Sequence, residues 1–470
     1  MAIVHVVMVP FVAFGHMIPF LELGISLAKS GSIKISFIST PKNIDKLKPR
    51  VPPALDHLIN LVALPWPSVD LPLPAGIEST ADIPLEKSQF LKIAYDLLKQ
   101  PFKNFVTQNS PDWIVVDGLA YWASEIGVEC NIPSIILSIF CAATTVFFGP
   151  PEYLHGDGQK LLRSTPESLT SSPPWIDFPS TVAYPSCDSA GVLFGFFGDN
   201  ASGISDSHRI AISMTVCKAI AIRSCRELEG EYIDLLGKLT GKRIIPVGLF
   251  PPSPPENFTE IEKDEAYKWL EKQNPKSVVY VSFGSEWKAT KEQVNEIANG
   301  LENSGVQFLW ALRTPIWSIE TGVEVLPPGF VDRTSDRGRT HIADWFPQME
   351  ILSHPSIGGC LFHAGFGTAV ESLQFGHCLI TLPLVIDQPL VSRMLVDKGL
   401  ALEVERKEDG SFDGDAIARA LKRAMGSQSG EAEEEEEELI ARASEISKAL
   451  RDKKQNDEYV NDLVEFLING

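Results

Sequence analysis

No two cysteines in this sequence stand in a C-x-x-C pair, and the seven present (Cys130, Cys141, Cys187, Cys217, Cys225, Cys360 and Cys378) are scattered and odd in number. That pattern excludes a sequence-legible zinc cluster or disulfide framework and reads as reduced thiols in a reducing compartment. Positive charge is also scarce: 41 Lys and Arg stand against 61 Asp and Glu, a net charge of −20. Such a field repels a phosphate backbone, which excludes nucleic acid as a partner while leaving room for a local pocket that holds one small anion. Part of the acidic excess is the run Glu431 to Glu438, which reads as a solvated helix start or loop. An unbroken membrane-length apolar stretch is missing too. Ala2 to Leu27 is rich in apolar residues, but His5, Pro10, His16 and Pro19 interrupt it and the first lysine is Lys29, so there is no basic n-region. The expectation is a cytoplasmic protein with no membrane span. No short-period repeat is visible.

What is present is 470 residues, 44% hydrophobic and 22% charged, more chain than one core accommodates. The β-branched run Ile3 to Val9 reads as a parallel strand covered on both faces; it leads through a Gly-containing turn to an amphipathic helix around Pro19 to Lys29 and then to a strand at Lys34 to Ser39. This βαβ texture returns at Trp113 to Val116, Tyr121 to Val128 and Ser134 to Ser138, and Ala219 to Ser224 closes the first half. Pro246, Pro251, Pro252, Pro254 and Pro255 then crowd a semi-rigid linker. Beyond it a second βα series runs through Ser277 to Phe283, Lys291 to Ser304, Gln307 to Leu312, Gly359 to Phe362, a helix from Thr368, and Leu379 to Leu382. The expected class is α/β: two doubly wound Rossmann-like domains facing across a cleft, with ligands beyond the carboxyl ends of the strands. The expected boundaries are 1–244, a linker at 245–260, 261–450, and a terminal helix at 451–470 that packs back on the first domain.

The stretch Trp345 to Gln388 carries the strongest chemistry. A strand ending at Leu361 and Phe362 is followed by His363, by Gly365 and Gly367, which let backbone amides approach a ligand, and by a helix N-terminus at Thr368. Amides, helix dipole and imidazole converge on one anion site suited to a pyrophosphate. The plainer reading is that Thr368-Ala-Val-Glu371 is an ordinary capping box and Trp345 a core aromatic.

From first residue to last, without a gap, these 44 residues resemble the signature box of the plant secondary-product UDP-glycosyltransferases, a family of inverting GT-B enzymes. The resemblance implies that Trp345 stacks on uracil, that Gln348 and Glu371 bond the ribose hydroxyls, that His363 and Thr368 hold the phosphates, and that Asp387 and Gln388 bond the sugar. It also places Gly15, Phe346, Gly365, Gly367 and Ser285, the last after the strand at Ser282-Phe283-Gly284, around the UDP-sugar. An indole offers a flat π face to a base, and a carboxylate beside an amide suits a vicinal diol. Phe366 and Gly367 depart from the usual Trp and Asn. Gly367 resembles the branch that lengthens existing sugar chains, and Phe366 leaves xylose, galactose and rhamnose open beside glucose.

An inverting transfer needs a base for the acceptor hydroxyl. His16, ending Ala13-Phe14-Gly15-His16, is the candidate, with Asp117 after the strand Trp113 to Val116 as its orienting partner; the bland alternative is a structural histidine. No metal or further cofactor is expected, since UDP-glucose enters as co-substrate. Phe14, Trp122, Phe140 and the cluster Phe194, Phe196, Phe197 are candidates for an apolar acceptor pocket suited to a terpenoid or flavonoid, although each also reads as core or loop packing. Ser205 to Arg209 is a polar segment that reads either as a contact for acceptor sugars or as a plain helix start. The combined expectation is a monomeric glucosyltransferase acting on a natural-product glycoside. Rivals are another donor sugar, a non-catalytic glycoside-binding protein, and a phosphorylase-like GT-B enzyme, whose cofactor lysine is not seen.

Overall fold

The computed structural model describes residues 3–154, 163–252, 265–284, 287–321, 324–342, 346–426 and 431–470. The chain divides into two compact units, one of residues 1–177, 189–250 and 453–470, the other of 178–188 and 251–452. The first unit runs to Phe250 before the chain crosses to the second. Residues 178–188 group with the second unit, where Thr181 N and Oγ1 donate to the Asp397 carboxylate at 2.7 and 2.5 Å and Arg406 forks onto Asp188.

The first unit holds seven parallel strands: β1 Val4–Val9, β2 Ile33–Ser39, β3 Ile59–Ala63, β4 Trp113–Val116, β5 Ser134–Ser138, β6 Ala219–Ile222 and β7 Arg243–Pro246, in the order β3-β2-β1-β4-β5-β6-β7. β1 shows why its run is apolar without alternation. Val6 and Met8 enter the core packed on helix Phe14–Lys29, whereas Val7 and Val9 enter the core on the opposite face. Fully burying each such side chain contributes about 1.5–3 kcal/mol. The turn before the first helix is made at Val12–Ala13 without a glycine, because the helix begins at Phe14 and takes in both Gly15 and Pro19. A proline at the sixth position forfeits only the bond to the Gly15 carbonyl, and the surrounding core burial offsets that loss.

The second unit holds six parallel strands: β8 Val278–Ser282, β9 Gln307–Leu312, β10 Gly338–Ile342, β11 Ile357–Phe362, β12 Cys378–Thr381 and β13 Ala401–Glu403, ordered β10-β9-β8-β11-β12-β13. Both sheets reverse winding beside their first strand, at β1/β4 and at β8/β11. The crevice left there is where an open α/β sheet binds its ligand. Two Rossmann-like α/β units are therefore confirmed. Among the described residues no helix is long and apolar enough to cross a membrane. The acidic run opens the helix Glu431–Arg451.

The last helix, Lys453–Asn469, belongs to the first unit. Leu463, Val464 and Leu467 enter its core, and Trp113 Nε1 donates to the Leu467 carbonyl at 2.9 Å. Leu463 is fully buried, so Leu463→Ala is expected to destabilise the protein by about 3 kcal/mol. A urea-unfolding midpoint unchanged from the parent would contradict this packing.

Candidate active site

At the β1/β4 switch point, the first turn of helix Phe14–Lys29 brings His16 to the end of β4. His16 Nδ1 lies 2.7 Å from Asp117 Oδ2, with side-chain exposures of 14% and 4%. The carboxylate is fixed by backbone donors as well: Phe11 N reaches Oδ2 at 3.3 Å and Leu119 N reaches Oδ1 at 2.9 Å. An acceptor-only carboxylate beside Nδ1 selects the tautomer protonated there, which makes Nε2 the basic nitrogen. The rings of Phe11 and Phe140 meet the imidazole edge-on, at centroid distances of 5.5 and 6.0 Å. Gly15 leaves open space beside it, since a Cβ there would meet nothing within 4 Å.

A small cavity opens next to this pair, lined by Asp117, Phe140, Phe148, Phe196, Ile210 and Met214 among others. Of the aromatic residues nominated from sequence, Phe140 and Phe196 line it. Trp122 does not. It is 1% exposed and packs edge-on to Tyr95 and Phe102, because its helix turns that face into the core. Phe14 packs on the core beneath the sheet with the Lys46 ammonium over its ring. Phe197 packs on Phe148 and Phe196, and Phe194 is 74% exposed. Ile210 and Met214 were missed, although their four-residue spacing in helix Asp206–Val216 already put them on one face.

The second switch point belongs to the other unit. His363 follows β11, and its ring is wedged between two glycines: a Cβ on Gly284, which follows β8, would lie 2.6 Å from Cε1, and one on Gly365 would lie 2.5 Å from Nε2. Burial pushes its pKa down to about 4 against a weaker opposing influence of the Ser282 backbone, and Nδ1 has no hydrogen-bond partner among the described residues. On the other side of the ring, Nε2 is the nitrogen nearest Gly365 and the helix end that follows it. Gly365 is the N-cap of helix Phe366–Leu373, so Gly367 and Thr368 sit in its first turn, where amides lack intrahelical acceptors. The capping-box alternative is not what forms, since Thr368 stands inside the helix rather than at its cap.

Gln348 and Glu371 come together: Gln348 Nε2 donates to Glu371 Oε2 at 2.5 Å, and the buried Tyr280 hydroxyl donates to Gln348 Oε1 at 3.4 Å. Phe346 lies nearly parallel to the Tyr280 ring and against His341. Gln388 is buried and its Oε1 accepts from Leu384 N and Val385 N, both at 3.0 Å, leaving the amide NH₂ as its donor group. Asp387 is the N-cap residue of helix Gln388–Asp397 and follows Ile386, whose φ is +53°. Ala364, beside His363, has φ +61°. Left-handed non-glycine residues are costly and cluster at ligand sites. Ser285 and Trp345 lie outside the described residues.

Two doubly wound units, one bearing a His–Asp pair beside an apolar cavity and the other an anion cradle beside a carboxylate–amide pair, define a nucleotide-sugar transferase. Residues 261–432 match the family described as UDP-glucoronosyl and UDP-glucosyl transferase. Over 469 residues, 99% of this chain and 97% of the relative, it is 38% identical to UDP-glycosyltransferase 91A1 of Arabidopsis thaliana. It is 36% identical to soyasaponin III rhamnosyltransferase of Glycine max, covering 98% and 95% of the two chains. In fold it matches a UDP-glucosyltransferase from Polygonum tinctorium that glucosylates indoxyl, with a TM-score of 0.76 at 24% identity over 100% and 99% of the chains. The chain belongs to the plant UDP-glycosyltransferase family and is an enzyme of that class with the GT-B fold.

Two tests follow from the His363 wedge. Gly365 has φ −64°, so Gly365→Ala strains no backbone and probes contact alone. It is expected to weaken UDP binding about tenfold in calorimetry, the worth of one charge-assisted hydrogen bond. Protonation gives the second. An unfolded imidazole takes its proton below pH 6.5, whereas folded His363 resists until about 4. Across that window the unfolded state binds more protons, so stability falls as pH drops from 6.5 to 4 and levels off below. Buried His377 acts in the same direction. His363→Asn is expected to make the fall shallower in urea titrations at stepped pH; an unchanged slope contradicts the assignment.

Proposed function

We propose that the protein transfers glucose from UDP-glucose, with inversion, to a hydroxyl of a small lipophilic natural product, specifically a sugar hydroxyl of a terpenoid or flavonoid glycoside. The observation that carries the reading is the 2.7 Å contact between His16 and Asp117 at the rim of an apolar cavity. The first unit holds the acceptor and the second the UDP-sugar. His16 Nε2 takes the proton of the acceptor hydroxyl as its oxygen attacks the anomeric carbon on the face opposite UDP. The bond from that carbon to the β-phosphate oxygen breaks, and the electron pair leaves with UDP. Asp117 holds the imidazole in the required tautomer and stabilises the imidazolium as it forms. The amide end of helix Phe366–Leu373 and His363 meet the charge developing on the diphosphate.

On this reading Gln348 and Glu371 hold the ribose diol, Asp387 and the Gln388 amide hold the sugar hydroxyls, and the reaction needs no metal. The acceptor class draws support from relatives: a Siraitia grosvenorii protein named mogroside IIIx synthase is 30% identical over 97% of this chain and 92% of its own. A second donor reading is favoured by the soybean relative's name, because a rhamnosyltransferase is 36% identical to this chain over nearly its full length. Phe366, 6% exposed behind the phosphate turn, is the departure that bears on it.

The test is a screen of UDP-glucose and UDP-rhamnose against flavonoid, diterpenoid and triterpenoid glycosides, scored by UDP release and product linkage. His16→Ala is expected to lower kcat about a thousandfold while UDP affinity stays at the parent value. Undiminished turnover in His16→Ala would overturn the base assignment. No turnover by the parent with any donor, despite tight UDP binding, would instead favour a glycoside-binding protein.

A further inference from the structure

The segment Ser205 to Arg209, a candidate contact for acceptor sugars, turns inward instead. Arg209 is 0% exposed, and its guanidinium forks onto the Asp96 carboxylate with both contacts at 2.6 Å. Three residues before it on the same helix, Asp206 takes the Lys92 ammonium at 2.7 and 2.5 Å. Lys92 and Asp96 are one turn apart on helix Ser88–Asp96. Two part-buried ion pairs therefore fasten helix Asp206–Val216 to helix Ser88–Asp96, and Ser202 Oγ takes a further Arg209 hydrogen bond at 2.6 Å. Packing alone would join two helices. Partly desolvating these charges is costly, and removing one partner of such a set costs more than losing an apolar contact would, so the arrangement favours one geometry.

Each fastened helix touches a different side of the catalytic pair. From helix Ser88–Asp96, the Tyr95 hydroxyl donates to the Pro10 carbonyl at 2.9 Å, and its ring meets Phe11 edge-on at 5.2 Å. Phe11 in turn gives its N–H to Asp117 and its ring edge to His16. From helix Asp206–Val216 come three contacts to the turn that carries Asp117. Arg209 Nη1 approaches the Leu119 carbonyl at 3.5 Å, Ser213 Oγ donates to the Gly118 carbonyl at 3.3 Å, and Ile210 sits 3.0 Å from where a Gly118 Cβ would be. Leu119 N is itself a donor to Asp117 Oδ1. Ile210 and Met214 of this helix also line the cavity.

We infer that Arg209–Asp96, backed by Lys92–Asp206, is a positioning clamp for the transfer reaction: it holds the Phe11 side and the Gly118–Leu119 side of the His16–Asp117 pair at one separation. The inference rests on the proposed base role of His16. Lysine cannot reproduce the planar two-point contact of arginine, so Arg209→Lys keeps the charge and loosens the clamp. With UDP-sugar and an accepted glycoside, kcat is expected to fall about tenfold or more while the UDP-sugar KM stays within about twofold, because the donor residues are untouched. The swapped pair Asp96→Arg with Arg209→Asp is expected to recover most of the lost kcat. A clamp that served folding alone would lower the unfolding midpoint and leave kcat of the folded fraction at the parent value, and that result overturns the inference. Should Arg209→Lys not fold, Asp206→Asn removes the outer pair at constant shape and is expected to lower kcat about threefold, with an unchanged kcat again overturning it. His16→Ala is assayed alongside. If it turns over like the parent, the base role fails; if it is inactive while Arg209→Lys keeps full kcat, the clamp alone fails.

Discussion

A parallel sheet must release its chain at the carboxyl end of every strand, and where two neighbouring strands send their connections to opposite faces, nothing covers the gap between them. This chain meets that constraint twice, at β1/β4 and at β8/β11. Four of the candidate site residues lie there for the same reason: each comes soon after a strand that has just left the core. His16 and Asp117 follow β1 and β4, while Gly284 and His363 follow β8 and β11. The apolar runs that build the sheets thereby decide where polar side chains can be exposed to a ligand and yet be held by buried backbone.

Holding them requires buried polar groups that are saturated with partners. Asp117 accepts from an imidazole and two backbone amides. Glu229, fully buried at a break in its helix, accepts from Ala142 N, Ala143 N and Ser224 Oγ, and so caps the helix Ala142–Phe148 that supplies Thr145 and Phe148 to the cavity. Burial raises the pKa of that carboxyl against these donors. The first unit is in this sense built around an apolar cavity whose walls are aimed by a few buried charges. The second unit's switch point relies on backbone: close-approach glycines, a helix end and left-handed turns.

The central strands were legible because they are buried on both faces, and β4, β5 and β9 fall on the residues where the apolar runs place them. The edge strands were not. β7 (Arg243–Pro246) and β10 (Gly338–Ile342) carry charged or polar residues suited to exposed edges, and β7 ends in a proline that reads as linker. His16 and the His363 region stood out through glycines and histidines after strands. The aromatic acceptor residues were only partly legible, since a phenylalanine on a core face and one on a cavity face look alike in sequence: Phe140 and Phe196 reach the cavity, Trp122 and Phe14 do not. The clamp around Arg209 was hidden because its partners lie more than a hundred residues away.

Ile386 is branched at Cβ, 49% exposed, and twisted to a φ of +53° immediately before the two residues assigned to the sugar. Left to local preference, that peptide would untwist, so the loop before it, with Gln388 gripping the amides of Leu384 and Val385, holds Asp387 in place. If these two residues read the donor sugar as proposed, donor choice is inherited with the loop as a whole. Transplanting the dipeptide into a foreign scaffold would carry over the letters without the grip that gives them meaning.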